Sequence, residues 1–234
     1  MSVGQPHDDL GVVIIAGGAG RRLAAALPDR PKALAPLGSG TLLDHQLARV
    51  APLRPAVVCV LTCARHAADQ IGAALADRAA LLVEPAPLGT AGGLHLLPAG
   101  PARWLTINVD HVSDVNLVEF VASARPPCTA LVVDKDVTID EGVVELGADG
   151  RLLRWTERPR LRVTVTTGLY VFAAAALRER CRGQALDMPD LVQELAPDGV
   201  FAHHHRGAWI DAGTPARLAA AAALAAGDPP PDGT

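Results

Sequence analysis

Three groups of residues in this sequence have the types and spacing that polyphosphate chemistry uses. The first is Gly17-Gly18-Ala19-Gly20-Arg21-Arg22-Leu23, directly after the β-branched run Val12–Ile15. Small residues there let backbone N–H groups approach phosphate oxygens, and Arg22 adds charge. The same residues also make a plain tight turn. Leu23 stands where the dinucleotide fingerprint needs its third glycine, and no Gly-Lys-Ser/Thr follows as in a P-loop. The second group is Pro31-Lys32, where a lysine after a rigid proline is most often a solvated charge. The third pairs Asp110, ending the apolar run that starts at Trp104, with Asp211 in Trp209-Ile-Asp-Ala-Gly-Thr-Pro215. Two such carboxylates can share one Mg²⁺ between substrate phosphates. Taken singly, each is also an ordinary turn cap.

These groups need strands and helices to position them. Val12–Ile15, Ala56–Leu61, Leu81–Val83 and Trp104–Val109 are short continuous apolar runs, as expected of strands buried on both faces. Between them, Thr41–Val50 reads as a capped amphipathic helix with Leu42, Leu43, Leu47 and Val50 on one side, and His66–Leu75 reads as a second helix. Gly89–Leu97 opens with a glycine turn and continues as helix. The alternation predicts an α/β fold with a Rossmann-like, doubly wound and mostly parallel sheet. In such sheets ligands bind beyond the carboxyl ends of the strands, where Gly17 and Asp110 fall. After about residue 125 the rhythm changes. Thr129–Val133, Gly142–Leu146, Arg151–Thr156 and Thr164–Phe172 read as a small additional sheet able to cover the ligand. Helices are expected over Val115–Ala124, with Asp114 read as its cap ahead of a sugar-hydroxyl acceptor, and over Ala173–Cys181, Asp190–Leu195 and Pro215–Ala226. Residues 1–226 form one expected domain, with halves at about 11–125 and 126–226, and 227–234 a disordered tail.

Composition narrows the function. Lys and Arg total 21 against 25 Asp and Glu, a net charge of −4, which excludes the strongly basic face of a nucleic-acid binder. No apolar run approaches the ~18 residues of a membrane span, and the polar start with Asp8 and Asp9 is not a signal peptide. Cys59, Cys63, Cys128 and Cys181 are scattered, without a partner pair or nearby His to complete a zinc set. They read as buried free thiols in a reducing cytoplasm. No Gly-x-Ser-x-Gly elbow or Cys–His pair points to a protein nucleophile.

Together the motifs resemble the sugar-1-phosphate nucleotidyltransferases. Gly17–Leu23, Pro31-Lys32 and Pro36 match that family's G-G-x-G-x-R-L…P-K…P signature. Pro87-Leu-Gly-Thr-Ala-Gly-Gly93 is similar to its base-receiving loop, and Asn108-Val-Asp110 stands for its metal-binding Gly-Asp. Thr156-Glu-Arg-Pro159 stands for Glu-Lys-Pro, Thr166-Thr-Gly-Leu-Tyr170 for Asn-Ala-Gly-Ile-Tyr, and Trp209–Pro215 for the segment with the second metal carboxylate. Leu23–Pro36 looks most like the small bacterial heptose-1-phosphate and mannose-1-phosphate guanylyltransferase branch. The resemblance implies transfer of a nucleotidyl group from an NTP, GTP favoured, to a sugar 1-phosphate, with uridylyl transfer or a silent nucleotide-sugar-binding regulator as alternatives. It implies that Arg22, Lys32, Asp110 and Asp211 are the catalytic set, with Mg²⁺ on Asp110 and Asp211. Ala16, Gly17, Gly18, Ala19, Gly20, Arg22, Glu84, Pro87, Gly89 and Thr90 are implied to hold the nucleotide, Glu84 by accepting from guanine. Glu157, Arg158, Thr166 and Gly168 are implied to hold the sugar phosphate. The departures are Val109 for glycine, Thr166 for asparagine and Arg158 for lysine.

Other residues invite blander readings. His203-His-His205 resembles a metal tract, but neighbours in a strand point to opposite faces, so no metal role is expected. His111 is read as a ligand contact or a turn residue, and Arg151–Arg162 mostly as a solvated basic face. A homodimer is the ordinary expectation for a symmetric assembly.

Overall fold

The computed structural model describes residues 7–17, 23, 27, 30–63 and 68–228. Thirteen strands are present among them: β1 His7–Ile15, β2 Pro36–Leu37, β3 Gly40–Thr41, β4 Pro55–Cys63, β5 Ala80–Glu84, β6 Arg103–Asn108, β7 His111–Ser113, β8 Cys128–Thr138, β9 Val143–Leu146, β10 Leu152–Thr156, β11 Arg160–Ala173, β12 Val200–His205 and β13 Trp209–Asp211. Seven form the central sheet in the order β12-β8-β11-β6-β1-β4-β5. β1 pairs in parallel with β4 and β6, β4 with β5 and β12 with β8, while β11 runs antiparallel to both β6 and β8. All strands but β11 therefore point the same way, as the alternation of runs predicts.

The continuous apolar runs are explained by burial on both faces. Val12 and Ile14 join one core, with helices Leu42–Val50, Ala68–Leu75, Leu117–Ser123 and Pro215–Ala225; Val13 and Ile15 join the other, with Ala174–Arg180 and Met188–Leu195. Helix Leu42–Val50 starts where the sequence places it, because Thr41 and Asp44 close a capping box: Asp44 N–H donates to Thr41 Oγ1 at 3.2 Å and Thr41 N–H to the Asp44 carboxylate at 3.0 Å. The free cysteines Cys59, Cys63, Cys128 and Cys181 are buried. Burial pushes the thiols of Cys59 and Cys181 up to about 11 and that of Cys128 to about 12.

The expected boundaries need four corrections. Of the four strands expected in the small additional sheet, β9 and β10 form it, while β8 and β11 join the main sheet, which β12 extends further. Pairing of β8 with β11 runs out to Thr138 and Arg160, past the apolar residues, because cross-strand partners such as Arg162 and Asp134 carry it into solvent. The helix expected from Val115 begins at Leu117, capped by Asn116 through Val118 N–H at 3.0 Å, since Asp114 is held by His205 Nε2 at 2.7 Å. The segment after Gly89 is a short 3₁₀ turn, Gly92–Leu96. The start of the helix at His66 and residues 229–234 of the expected tail lie outside the described residues. Among the described residues no helix is long and apolar enough to cross a membrane.

Gly11 shows how tightly the centre is built. It pairs with Trp104 of β6, and a Cβ there would lie 2.6 Å from the indole ring. Gly11→Ala is therefore expected to destabilise the chain by ~1–3 kcal/mol through overpacking. Thermal unfolding by circular dichroism should show a lower midpoint, by about 2–4 °C for each kcal/mol.

Candidate active site

The carboxyl ends of the parallel strands bring the candidate residues together. Ile15, the last residue of β1, is in register with Leu61 of β4 and Asn108 of β6, and Cys63 with Glu84. Ala16 and Gly17, Glu84 and Asp110 therefore emerge at one edge of the sheet. Ala16 is fixed there by donating its N–H to Leu61 O at 2.7 Å. Gly18, Ala19, Gly20 and Arg22 lie outside the described residues.

Asp110 and Asp211 meet across a small antiparallel ribbon. β7 and β13 pair with Asp211 opposite His111, and Ala212 N–H donates to Asp110 O at 2.9 Å. Lys32 forms a close ion pair with Asp110 Oδ2, both side chains being mostly buried. Arg217 approaches Asp211 at 3.7 Å from the first turn of helix Pro215–Ala225, which Thr214 caps. The Asp211 carboxyl titrates above the usual carboxylate range, first because burial penalises its charge and then because Asp110 repels it. Lys32 and Arg217 oppose the shift. Asp211 Oδ1 is buried without a hydrogen-bond partner. Among the described residues no cluster of three or more His, Cys, Asp or Glu side chains could hold a metal. Mg²⁺ in phosphoryl-transfer sites is nevertheless held by one or two carboxylates plus substrate phosphates. Two carboxylates that repel each other, one with an orphaned oxygen, fit that donor set.

Sequence reasoning missed the parts that aim Asp110. Gln46 is fully buried on the apolar side of helix Leu42–Val50, and its Nε2 donates to His111 O and, at 3.2 Å, to Val109 O. One amide thus grips the carbonyls on either side of Asp110. Arg49, one turn on, donates to Ser113 Oγ at 3.2 Å and Val115 O at 3.4 Å, and burial lowers its guanidinium to about 10. The chain of bonds continues through His111, whose Nε2 lies 2.8 Å from Ser113 Oγ and whose Nδ1 lies 2.9 Å from Thr167 O. A carbonyl only accepts, so the network assigns the proton to Nδ1, and Ser113 donates to Nε2. The nearby Trp209 Nε1 at 3.2 Å then touches the ring without a bond. Burial holds His111 neutral, lowering it to about 3. The signal available in the sequence was Gln46 itself, a polar residue on the apolar side of a helix.

The other expected residues fall in two places. In the Pro87–Gly93 loop, Gly89 has φ of +82° and a Cβ there would sit 2.5 Å from Leu186 O, so only glycine fits. Thr90 donates to Asp187 Oδ1 from N–H at 2.9 Å and accepts from Met188 N–H at 2.7 Å. Its hydroxyl is thus engaged within the protein, and Leu186–Met188 staples the loop. Glu84 is buried against Gly93, with Oε1 unpartnered, and burial raises its carboxyl. On the sugar side, β11 bulges after Thr166, and Gly168, with φ of +82°, lies against Asn108, whose Nδ2 would be 2.3 Å from an added Cβ. Glu157 accepts from Trp155 Nε1 at 3.0 Å, and exposed Arg158, with φ of +44°, pairs with Asp140 at 3.7 Å. Both contacts lie within the β8–β11 projection. Val109 points into the core and donates its N–H to Ile15 O at 3.0 Å, so replacing glycine there adds no bulk at Asp110. Of the histidine tract, His203 meets Ser123 and the edge of Phe120, His204 approaches Asp134 and His205 binds Asp114.

Two substitutions test this geometry. Gln46→Leu keeps the core volume but frees the strand on both sides of Asp110. It is expected to weaken Mn²⁺ binding, followed by electron paramagnetic resonance, by about 10–100-fold, with little change in nucleotide affinity measured without metal. Asp211→Asn tests the repulsion. A carboxyl whose folded pKa is raised binds protons more tightly folded than unfolded, so its contribution to stability is lost as pH rises through the folded value. The metal-free Asn variant should therefore melt above the natural chain at neutral pH, and the two should converge at acid pH. Turnover should fall on the order of 100-fold or more.

Known proteins resemble this chain along nearly its whole length. The family model described as nucleotidyl transferase matches residues 11–226. N-acetylmuramate alpha-1-phosphate uridylyltransferase of Caulobacter vibrioides is 31% identical over 91% of this chain and 96% of its own length. Mannose-1-phosphate guanylyltransferase of Mycobacterium tuberculosis is 26% identical over 87% of this chain, which spans 61% of that relative. Among solved structures, HddC from Yersinia pseudotuberculosis superposes with a TM-score of 0.68 at 19% identity, covering 92% of this chain and 98% of that one, a likeness of fold. With a match over nearly all its length and two carboxylates and a lysine gathered where such a sheet binds ligands, the chain belongs to the nucleotidyl transferase family.

Proposed function

We propose that the chain transfers a nucleotidyl group from an NTP to a sugar 1-phosphate, giving an NDP-sugar and pyrophosphate. The meeting of Lys32, Asp110 and Asp211 beside Gly17 carries this reading. A sugar-phosphate oxygen attacks the α-phosphorus in line, a new P–O bond forms and pyrophosphate leaves with the electrons of the broken one. No protein nucleophile is needed, so the chain contributes position and charge. Asp110 and Asp211 are the residues to hold Mg²⁺, which when bound neutralises phosphate charge and orients both substrates. Lys32 keeps a positive charge on Asp110 in the free chain and passes to the α-phosphate when nucleotide binds. Arg22 and the amides of Ala16–Gly20 hold the remaining phosphates. Glu157 and Arg158 hold the sugar and its phosphate, with Thr166 and Gly168 alongside. Residues of about 11–125 thus form the nucleotide-binding half and those of about 126–226 the sugar-binding half of one unit.

Two bases compete. Guanine is supported by Glu84, whose orphaned oxygen under the Pro87–Gly93 loop is an acceptor suited to guanine N1–H and N2–H. Uracil is supported by the depth of that carboxylate, only 3% exposed, and by the uridylyltransferase named above. Four buried free thiols support residence in a reducing cytoplasm.

The test is pyrophosphate release with GTP, UTP, CTP, ATP and dTTP, each against a panel of sugar 1-phosphates with Mg²⁺. One base should exceed the others by at least ~10-fold in kcat/KM, and Asp110→Asn should lower that value on the order of 100-fold. Binding of a nucleotide sugar without turnover of any pair would replace this reading with a regulatory one.

A further inference from the structure

We infer that a cavity at the carboxyl ends of β8 and β12 receives a second anionic group, a carboxylate or a phosphate, carried by the acceptor sugar at the end farthest from its 1-phosphate. The position of the sugar is the one proposed above, and the assignment rests on it. The cavity, of about 650 Å³, opens where β8 and β11 leave the sheet as a ribbon while β12 turns off at Arg206 and Gly207. Val133, Asp134, Arg162 and the segment His204–Gly207 line it.

Strand register sets the cavity beside the sugar position. Thr166 pairs with Val132 of β8, and Val132 pairs in turn with His204 of β12. Directly paired residues share one face of a sheet. Two residues outward on that face stand Asp134 and Thr164, again a pair. Val132 belongs to the same core as Ala91 and Leu94, so this is also the face on which the Pro87–Gly93 loop packs. Asp110 follows β6, and the sheet steps from β6 through β11 and β8 to β12. Strands stand ~4.8 Å apart, so Thr166 lies about one step from the line of Asp110 and His204 about three, or ~14 Å. A sugar with its 1-phosphate at Asp110 and Asp211 and its ring near Thr166 therefore extends its far end towards the cavity.

The lining favours an anion. Asp134 is engaged within the protein: its Oδ2 accepts from Arg162 Nη2 at 3.2 Å and its Oδ1 from the Thr164 hydroxyl at 2.9 Å. That bond holds the Arg162 guanidinium at the cavity wall. Arg206 is exposed and, among the described residues, no hydrogen bond or ion pair holds its side chain. His204 is exposed as well, with Nδ1 3.9 Å from Asp134 Oδ1, too far for a hydrogen bond and able to donate to a ligand. With the histidines neutral, Arg162 and Arg206 face Asp134 alone, so the lining carries one positive charge in excess in a chain whose net charge is −4. A guanidinium without a partner matches a carboxylate or a phosphate through two parallel N–H···O bonds. Val133 is the only apolar side chain among the lining residues, so an apolar substituent would gain little there.

Turnover with three kinds of acceptor tests the cavity: a hexose 1-phosphate, the hexuronic acid 1-phosphate and the hexose 1,6-bisphosphate, each of the gluco and manno series. They differ only at the carbon farthest from the 1-phosphate, which bears a hydroxyl, a carboxylate or a phosphate. An acidic acceptor should exceed its neutral counterpart about 10-fold in kcat/KM, as a charge-assisted pair gives, and which acid does so separates carboxylate from phosphate. Arg206→Ala should remove that advantage and leave the neutral acceptor within about 2-fold, since the residue is exposed. Arg206→Lys should restore part of it. Should no acceptor turn over, the function proposed above fails, and the same ligands are compared by calorimetric binding to the full chain. Tighter binding of an acidic ligand that Arg206→Ala abolishes supports the cavity even then. Equal values for neutral and acidic ligands, or a preference that Arg206→Ala leaves intact, overturn it in either assay.

Discussion

Two carboxylates brought side by side in a partly buried place repel each other, and much of this molecule is arranged to hold Asp110 and Asp211 together in spite of that. The raised titration of Asp211 is the visible sign of the repulsion. Two cations offset it from opposite sides, Lys32 on Asp110 and Arg217 near Asp211. Neither carboxylate sits on a long regular element. Asp110 lies between β6 and β7, and Asp211 ends the short β13, so their backbones need support from elsewhere.

That support comes from one helix. Gln46 and Arg49 are three apart and so lie on one side of helix Leu42–Val50, and between them they bond to carbonyls or side chains from Val109 to Val115. His111 carries the connection across to Thr167, next to the bulge where Gly168 meets Asn108. The strand bearing Asp110 is therefore bonded on one flank to helix Leu42–Val50 and on the other to β11. The Pro87–Gly93 loop is pinned in a comparable way, with Leu186 O taking the N–H groups of Ala91 and Gly92 at 3.0 Å each. Groups fixed by buried bonds need not reorganise when a substrate arrives, which is what electrostatic preorganisation requires.

The sequence made the scaffold and the chemical groups legible where the cause is local. Strands buried on both faces show as unbroken β-branched runs, and the helix that starts after Thr41 shows as a capped apolar stripe. Asp110 and Asp211 are visible as carboxylates closing apolar runs. What stayed hidden depends on contacts distant in the chain. Gln46 is 65 residues from the His111 carbonyl that it grips, and Asp187 is 97 from Thr90. Asp114 reads as a helix cap until its bond to His205 is seen, which leaves the capping to Asn116. The small additional sheet is there in β9 and β10, but its expected membership was too wide for a related reason. Pairing partners are chosen across the fold, and β8 and β11 bury apolar faces by extending the main sheet, which a separate small sheet would leave half exposed.

The earlier and later parts of the chain differ in how firmly their contacts determine them. The part up to about residue 125 is locked by glycines with no room for a side chain, by buried amides and by a neutral buried histidine. Only 3% of the whole chain is aromatic, so these contacts are made by backbone, amides and carboxylates more than by stacked rings. The later part departs from the family motifs at Thr166 and Arg158, and its β8–β11 ribbon runs into solvent, where charged residues pair mostly with one another. Substitutions in the first part disturb many bonds at once, whereas those on the ribbon disturb few. Sequence change is therefore physically easiest on the ribbon of β8 and β11, while the carboxylate pair stays tied to the strand that Gln46 grips.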